Sequence, residues 1–350
     1  MEIVSFHPPA ASREDWARYH AYRRLRHQES NPGDPVVPDP QVEIGMTWSD
    51  PFNETSYFEA VEAGEVVGAA RVSAPRPTSP EYPSGRHLIW VGGGVLRGHR
   101  RRGVGRALLE PLAEHMRERG ASVMSLWSHE VEEARGFIGW LGAEERFRGG
   151  ENRLDLAAVD WAMVEAWVRE GEANTGGTRL ELYEPRLPDG MLEEFCPAYT
   201  GMLNTITFED LDHGEEIYTP KMMRDQYALS KRLGDIRHIA LTREPDGAIS
   251  GMTEVIQRPY LPDRVHQELT AVHTRHQGRG LGKWLKAAML LRVREVYPDV
   301  RMVVTENAGS NAPMLAINKR LGFRQHRSHA AYQVSLETLL GRLAQASSAR

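Results

Sequence analysis

The sequence predicts an α/β (α+β) protein built from two copies of one domain. Three observations predict it. The chain has 350 residues, more than one ordinary hydrophobic core and enough for two. Glycine-rich stretches recur at Arg100-Arg101-Arg102-Gly103-Val104-Gly105-Arg106 and at Gln277-Gly278-Arg279-Gly280-Leu281-Gly282-Lys283, 177 residues apart. Around both stretches the same kinds of element follow one another in the same order.

Upstream of each loop lies a hairpin pattern. Phe58 to Val72 holds a turn at Ala63-Gly64-Glu65, and His238 to Val255 holds one at Pro245-Asp246-Gly247; alternating apolar residues around such turns read as paired strands. Apolar strands, Trp90 to Val95 and Gln267 to Val272, then run into the loops. A helix follows each loop. The first spaces Val104, Leu108, Leu112 and Met116 four apart; the second sets Leu281, Trp284, Leu285 and Ala288 on one face, with Lys283, Lys286 and Arg292 elsewhere. A further helical stretch closes on Trp140-Leu141-Gly142-Ala143 or Arg320-Leu321-Gly322-Phe323, and each copy ends in a strand-like run and an amphipathic helix, Trp161 to Arg169 and Leu336 to Leu343. Residues 170–178 are polar, bear glycine and lack periodicity, so they read as a linker between domains at 1–169 and 179–350.

The composition narrows the function classes. No run of apolar residues is long enough to span a bilayer, and the N-terminus lacks a basic start and an apolar core, so a cytoplasmic protein is expected. The single cysteine, Cys196, excludes a disulfide framework and a cysteine-rich metal site, and reads as a small buried apolar residue. A formal charge of −5 argues against a nucleic-acid binder and favours cationic small molecules as partners. The histidines at 266, 273, 276, 326 and 329 show no ligand spacing, so no metal is expected. A monomer or homodimer is the expected assembly.

A glycine-rich turn from strand to helix aims backbone N–H groups and the positive end of a helix dipole at one point, which suits a pyrophosphate. A Walker loop fails here, because Trp284 follows Gly282-Lys283 and Gln277 stands where the first glycine belongs. The dinucleotide fingerprint fails in both copies as well. The spacing that fits is Gln or Arg, two residues, Gly, one residue, Gly. It is met by Gln277, Gly280 and Gly282, and again by Arg100, Gly103 and Gly105.

In these loops, doubled and placed between a strand and a helix, the chain resembles the GNAT superfamily of acyl-CoA-dependent N-acyltransferases. The resemblance implies two tandem GNAT domains, each a mixed, splayed sheet flanked by helices, with a bulge in the fourth strand and the pantetheine arm lying in the gap. It implies acetyl-CoA as acyl donor. Val272, His273 and Thr274 would offer backbone groups to the arm, and Gln277, Gly278, Arg279, Gly280, Leu281, Gly282 and Lys283 would cradle the pyrophosphate. In the first copy Val95, Leu96 and Arg97 correspond to the arm contacts, and Arg100, Arg101, Arg102, Gly103, Val104, Gly105 and Arg106 to the cradle.

An amine attacks a thioester only when deprotonated, so a general base is needed. The resemblance places it four or six residues before the pantetheine-binding valine, at Glu268 and His266, and counts Val91 and Ile89 at these places in the first copy. The family's asparagine is matched by Asn311, and in the first copy by Val131. The C-terminal copy is therefore expected to be catalytic and the N-terminal copy to hold acyl-CoA without turning it over, unless His129 and Glu130 substitute. The family's tyrosine acid falls on Asn318 and Ile138, which leaves Tyr332 or solvent to protonate the thiolate. The acidic stretch 207–216 is expected to line the acceptor pocket and attract a cationic small amine. A non-catalytic acyl-CoA sensor and a protein-modifying acetyltransferase stay open beside this reading.

Overall fold

The computed structural model describes residues 1–129, 132–174, 176–206 and 208–348. Along the first half run β1 (Glu2–Phe6), α1 (Arg13–Ser30), α2 (Asp39–Thr47), β2 (Asn53–Glu62), β3 (Glu65–Pro75), α3 (Tyr82–Gly85), β4 (Leu88–Val95), α4 (Val104–Arg119), β5 (Val123–His129), α5 (Glu132–Leu141), β6 (Glu144–Asp155) and α6 (Trp161–Asn174). The second half continues with β7 (Arg179–Tyr183), α7 (Leu192–Leu203), α8 (Pro220–Leu233), β8 (Ile236–Arg243), β9 (Ile249–Gln257), β10 (Arg264–Val272), α9 (Leu281–Val296), β11 (Met302–Ala308), α10 (Ala312–Leu321), β12 (Arg324–Ser335) and α11 (Leu336–Ser348). Both expected hairpins form. Ala63 and Gly64 take positive φ at the β2–β3 turn, and Gly247 does so between β8 and β9.

Two compact units emerge, and neither is a continuous half of the chain. One comprises residues 1–147, 210–215 and 330–350; the other comprises 148–209 and 216–329. The division therefore does not follow the expected boundary at 169–179. Residues 170–174, read as linker, continue helix α6; Thr175 lies outside the described residues.

The first unit orders its strands β1-β2-β3-β4-β5 and completes them with β12 from Ala330 onward. Val334 and Leu339 enter the same core as Val72, Ile89, Leu112 and Met116, so the end of the chain closes this unit. The second unit orders β7-β8-β9-β10-β11 and takes its sixth strand from β6, whose residues 149–155 pair antiparallel with β11. Here α6 lies on α9, with Val164 and Trp167 in one core with Leu285 and Leu290. A Cβ on Gly171 would fall 2.2 Å from the ring of Trp284, so only glycine lets the two helices approach this closely. Lys286, expected off the apolar face of α9, is nonetheless buried. Lys286 is 2 % exposed, its Nζ lies 5.3 Å from the centre of the Phe323 ring, and burial lowers its pKa to about 7.

Glu59 on β2 is a second buried charge. It is 3 % exposed and its Oε1 has no hydrogen-bond partner, so burial, opposed by Arg18, raises its pKa from 4.5 to about 7. A raised carboxyl pKa favours the folded state at low pH, and that contribution is lost as pH rises through the folded value. Relative to the natural protein, Glu59→Gln is expected to gain about 2 to 3 kcal/mol between roughly pH 4.5 and pH 7. Urea unfolding at the two ends of that range reads the difference; equal offsets at both would refute it.

Candidate functional site

The loops of the two copies share their backbone conformation. Gly278 and Gly280 have φ of 79° and 81°, and Arg101 and Gly103 have 63° and 85°. Helices α9 and α4 begin directly after them with no side-chain cap, which leaves their first N–H groups for an external acceptor. A Cβ on Gly282 would face Val272 and Ile317, and one on Gly105 would face Val95 and Phe137. Gln277 Nε2 donates to the carbonyl of Val272 at 3.2 Å, and Arg100 Nε to that of Val95 at 3.0 Å. The first residue of each motif thus folds back on the strand that leads into it.

The basic side chains are less free than expected. Arg279 Nη1 lies 3.0 Å from Glu244 and 3.0 Å from His276, and its Nη2 donates to Thr178 at 2.8 Å. In the first copy Arg102 meets Glu62 at 2.8 Å and His99 at 3.3 Å, and His99 meets Glu62 at 2.8 Å. The same His–Arg–Glu brace therefore holds both loops, and these arginines act as struts. The sequence carried a signal for it, a histidine three residues before an arginine in both loops, at His99/Arg102 and His276/Arg279. Lys283 pairs with Glu170 at 2.6 Å. In the first copy Glu29 accepts from the N–H of Arg97 at 2.8 Å and pairs with Arg100 at 3.3 Å, so an internal carboxylate already occupies part of that cradle. The N–H groups of His273 and Leu96 donate to the preceding strand region, at Ser250 and Val67, and so are not open to a pantetheine arm. Leu281 and Val104 are buried in their units' cores; Thr274 opens a short 3-10 turn; Arg106 lies in the first turn of α4. Asn311 caps α10, its Oδ1 accepting from Met314 N–H at 3.2 Å.

Each unit also shows a fork. β10 and β11 pair in parallel from Arg264↔Met302 to Gln267↔Thr305, yet both strands run on. β4 and β5 pair from Leu88↔Val123 to Val91↔Leu126 and then part in the same way. The expected bulge lies at the fork of the second unit. Gln267 pairs with Val255 and Thr270 with Thr253, so Glu268 and Leu269 together oppose Glu254. No register shift accompanies β4 against β3. The extra residue corrects the counted correspondence. By register against the preceding strand, His266 matches Trp90, and Glu268 falls opposite the row of Gly92, neither of which takes a proton. Val91 and Ile89 each lie one place off.

At the second unit's fork Glu268 is 42 % exposed and lies 3.9 Å from Arg258. Its pKa is raised, first by desolvation and then by Glu254. Both facts suit a group on a groove floor, where one side meets water and the rest meets packed protein. His266 behaves oppositely to expectation. Burial, then Arg258 and Arg264, push its pKa down to about 4, and its buried Nε2 has no hydrogen-bond partner. It is therefore a neutral imidazole at physiological pH. On the same face Glu254 is neutralised by Arg237 at 2.7 Å, beside Phe195, Tyr199, Met223 and Tyr227.

Other expected contributors fall elsewhere. Tyr332 is buried against Ile138 and Ala330 in the first unit's core. Of the acidic stretch, residues 210–215 belong to the first unit, where Asp212 pairs with His87 at 2.7 Å and its backbone exchanges hydrogen bonds with the Gln333 side chain; Thr207 lies outside the described residues. His129 ends β5, and Glu130 and Val131 also lie outside the described residues. No group of three histidine, cysteine or carboxylate side chains among the described residues is arranged for a metal ion, and no helix among them is long and apolar enough to cross a membrane.

Paired forks and glycine loops are what the resemblance to tandem GNAT proteins implies, and both units carry them. Residues 16–142 match the Acetyltransferase (GNAT) family, whose chemistry is acetyl transfer from acetyl-CoA. A mycothiol acetyltransferase from Saccharomonospora viridis is 26 % identical over 245 residues, covering 67 % of this chain and 70 % of that protein. A tandem GNAT protein from the clavulanic acid biosynthesis pathway shares the fold with a TM-score of 0.76 at 21 % identity, covering 96 % of this chain and 98 % of the other. A GCN5-related N-acetyltransferase from Sphaerobacter thermophilus follows with a TM-score of 0.63 at 16 % identity, covering 96 % and 95 %.

Arg101 holds a left-handed conformation where the other copy has Gly278. Such a φ costs a residue with a side chain about 1 to 2 kcal/mol. Arg101→Gly is expected to raise stability, and Gly278→Ala to lower it, each by about 1 kcal/mol. Thermal unfolding measures both, and shifts of the same sign would show that the two loops are not equivalent.

Proposed function

We propose that this protein is an N-acetyltransferase that moves the acetyl group of acetyl-CoA to the amine of a small cationic acceptor by direct attack in the C-terminal copy. The observation that carries this reading is Glu268, a carboxylate with raised pKa placed by a bulge at the fork of β10 and β11. A raised pKa makes a carboxylate a better base, provided it is ionised at the working pH. The pyrophosphate would rest on the uncapped start of α9 over Gly280 and Gly282, and the pantetheine arm would lie in the gap of the fork. Neutral His266 fits a hydrogen-bonding role toward the acceptor better than that of a second base. The relative named as a mycothiol acetyltransferase supports a small-molecule acceptor. A non-catalytic sensor is the second reading, favoured by Asn318 at the place of the family's acid.

Thiol release from acetyl-CoA over a panel of polyamines, aminoglycosides and amino sugars tests the function. No acceleration by any amine would favour the sensor. With an active acceptor, Glu268→Gln is expected to lower kcat at neutral pH by about ten- to a thousandfold, with acetyl-CoA affinity nearly unchanged. Because the base must be ionised, the natural enzyme's rate should climb with pH through a value above the ordinary carboxylate range, and the variant should lack that limb. Full activity of Glu268→Gln from about pH 6 to 9 would remove the residue from the mechanism.

The first copy keeps a glycine loop but presents Trp90 and Gly92 at its fork, which fits cofactor binding without chemistry. Gly103→Val is therefore expected to lose acetyl-CoA bound in that half while retaining turnover, and Gly280→Val to abolish turnover, since both positions have positive φ. Calorimetry paired with steady-state rates reads this out. Lost turnover in a folded Gly103→Val protein would place the chemistry in the other half.

A further inference from the structure

The second unit carries three carboxylates in one row. Glu268 follows the last β10–β11 pair, Glu306 follows it on β11, and Glu306 is the register partner of Glu151 on β6. Like charges set side by side on neighbouring strands destabilise a sheet, so such a row needs a reason. The groups around Glu306 treat its members differently. Burial would raise the pKa of Glu151, but hydrogen bonds from Arg327 and from Arg153 at 2.5 Å hold it down, so Glu151 is a fixed anion. Glu306 lies beside that anion. Burial, Glu151 and Glu268 all raise its pKa and only Arg327 opposes them, which brings it to about 7. His329 stands 3.2 Å from its Oε2. Glu306 is 60 % exposed, so solvent can reload its proton.

A second observation concerns the residue next to Glu306 on β11. Asn318 is 2 % exposed; its Nδ2 donates to Asn307 Oδ1 at 2.8 Å, and its own Oδ1 has no partner. An amide oxygen left bare in a buried site can accept a hydrogen bond but has no proton to give. Asn307 and Glu306 are successive residues and take opposite faces of β11. Just past the last β10–β11 pair, β11 thus carries Asn307, hydrogen-bonded to Asn318, on one face and the Glu306 carboxyl on the other.

We propose that Glu306 is the general acid of the reaction, protonating the departing thiolate while Glu268 takes the proton of the amine. This rests on the reading of Glu268 as base. The amine nitrogen forms a bond to the thioester carbonyl carbon, and the C–S bond breaks. The nitrogen's proton passes to the Glu268 carboxylate, and the thiolate takes the proton of the Glu306 carboxyl. A proton then returns from Glu268 to Glu306, and the pair is restored with amide and thiol formed. Glu151, held ionised by its arginines, is a positioning residue that keeps the proton on Glu306. In the first unit the row of Gly92 and Trp127 offers no such pair.

The test is Glu306→Gln in the full chain, beside Glu268→Gln. Carbon-13 glutamate spectra titrated over the neutral range need no acceptor. They should show, besides Glu59, a carboxyl that holds its proton near neutrality in the natural protein and is missing in Glu306→Gln but present in Glu59→Gln. Its absence from the natural protein would overturn the proposal. With any amine that turns over, Glu306→Gln should lower kcat with acetyl-CoA about ten- to a hundredfold and leave KM for acetyl-CoA nearly unchanged. Changing the donor to an acetyl thioester of an acidic aromatic thiol should close most of the gap between Glu306→Gln and the natural enzyme, because that thiolate leaves unaided. The same donor should not rescue Glu268→Gln. An unrescued Glu306→Gln, or one at full rate with acetyl-CoA, refutes the acid. An unimpaired Glu268→Gln refutes the base instead and leaves the carboxyl titration to decide Glu306.

Discussion

Backbone amides and carbonyls shielded from water must be paired, and the fork is where this protein leaves some of them open. β10 satisfies β9 on one side along its length, and β11 satisfies β6 on one side, but the two strands serve each other only as far as Gln267 and Thr305. Beyond that point the edges that face the gap need something strand-like and polar. A pantetheine arm, with its two amides, would meet that need. The bulge at Glu268 and Leu269 interrupts the register of β10 at the same place and sets a carboxylate there. The opening of the sheet and the position of Glu268, the base of the proposed reaction, thus coincide in the chain.

The loops obey a related constraint. In both, alternate residues take positive φ and the helix starts without a cap, which is the arrangement a pyrophosphate would need to meet backbone N–H groups. Such a turn has little to hold it in shape. The His–Arg–Glu braces supply that support from the side, with Glu244 or Glu62 anchoring an arginine that would otherwise be read as a phosphate contact. Charged residues near an anion site serve as often by fixing the backbone as by touching the ligand.

Much of this was legible in the sequence. The repeat, the hairpins, the glycine loops and the apolar stripe of α4 each have a local cause, and each formed as expected. The misreadings concern long-range choices. Nothing near Lys286 shows that it will be buried beside Phe323, and nothing near Asp212 shows that its loop belongs with His87. A count along the chain places Val91 opposite Glu268 because an inserted residue in one strand is invisible until its partner is known. Glu306 is hidden in the sequence for the same reason. It is an ordinary surface glutamate until register sets it between Glu268 and Glu151.

The way each unit borrows its last strand also sets a schedule. Ser125 waits for Gln333, whose Nε2 it meets at 2.8 Å, across 208 residues of chain. During synthesis residues 1–147 of the first unit precede the second unit but cannot close their core, since Val334 and Leu339 follow the second unit along the chain. The second unit already holds β6 and α6 when its own strands appear. The half that starts first on the ribosome is therefore the half that finishes last, and until then its β5 edge stands open to chaperones, to neighbouring nascent chains, and to proteases.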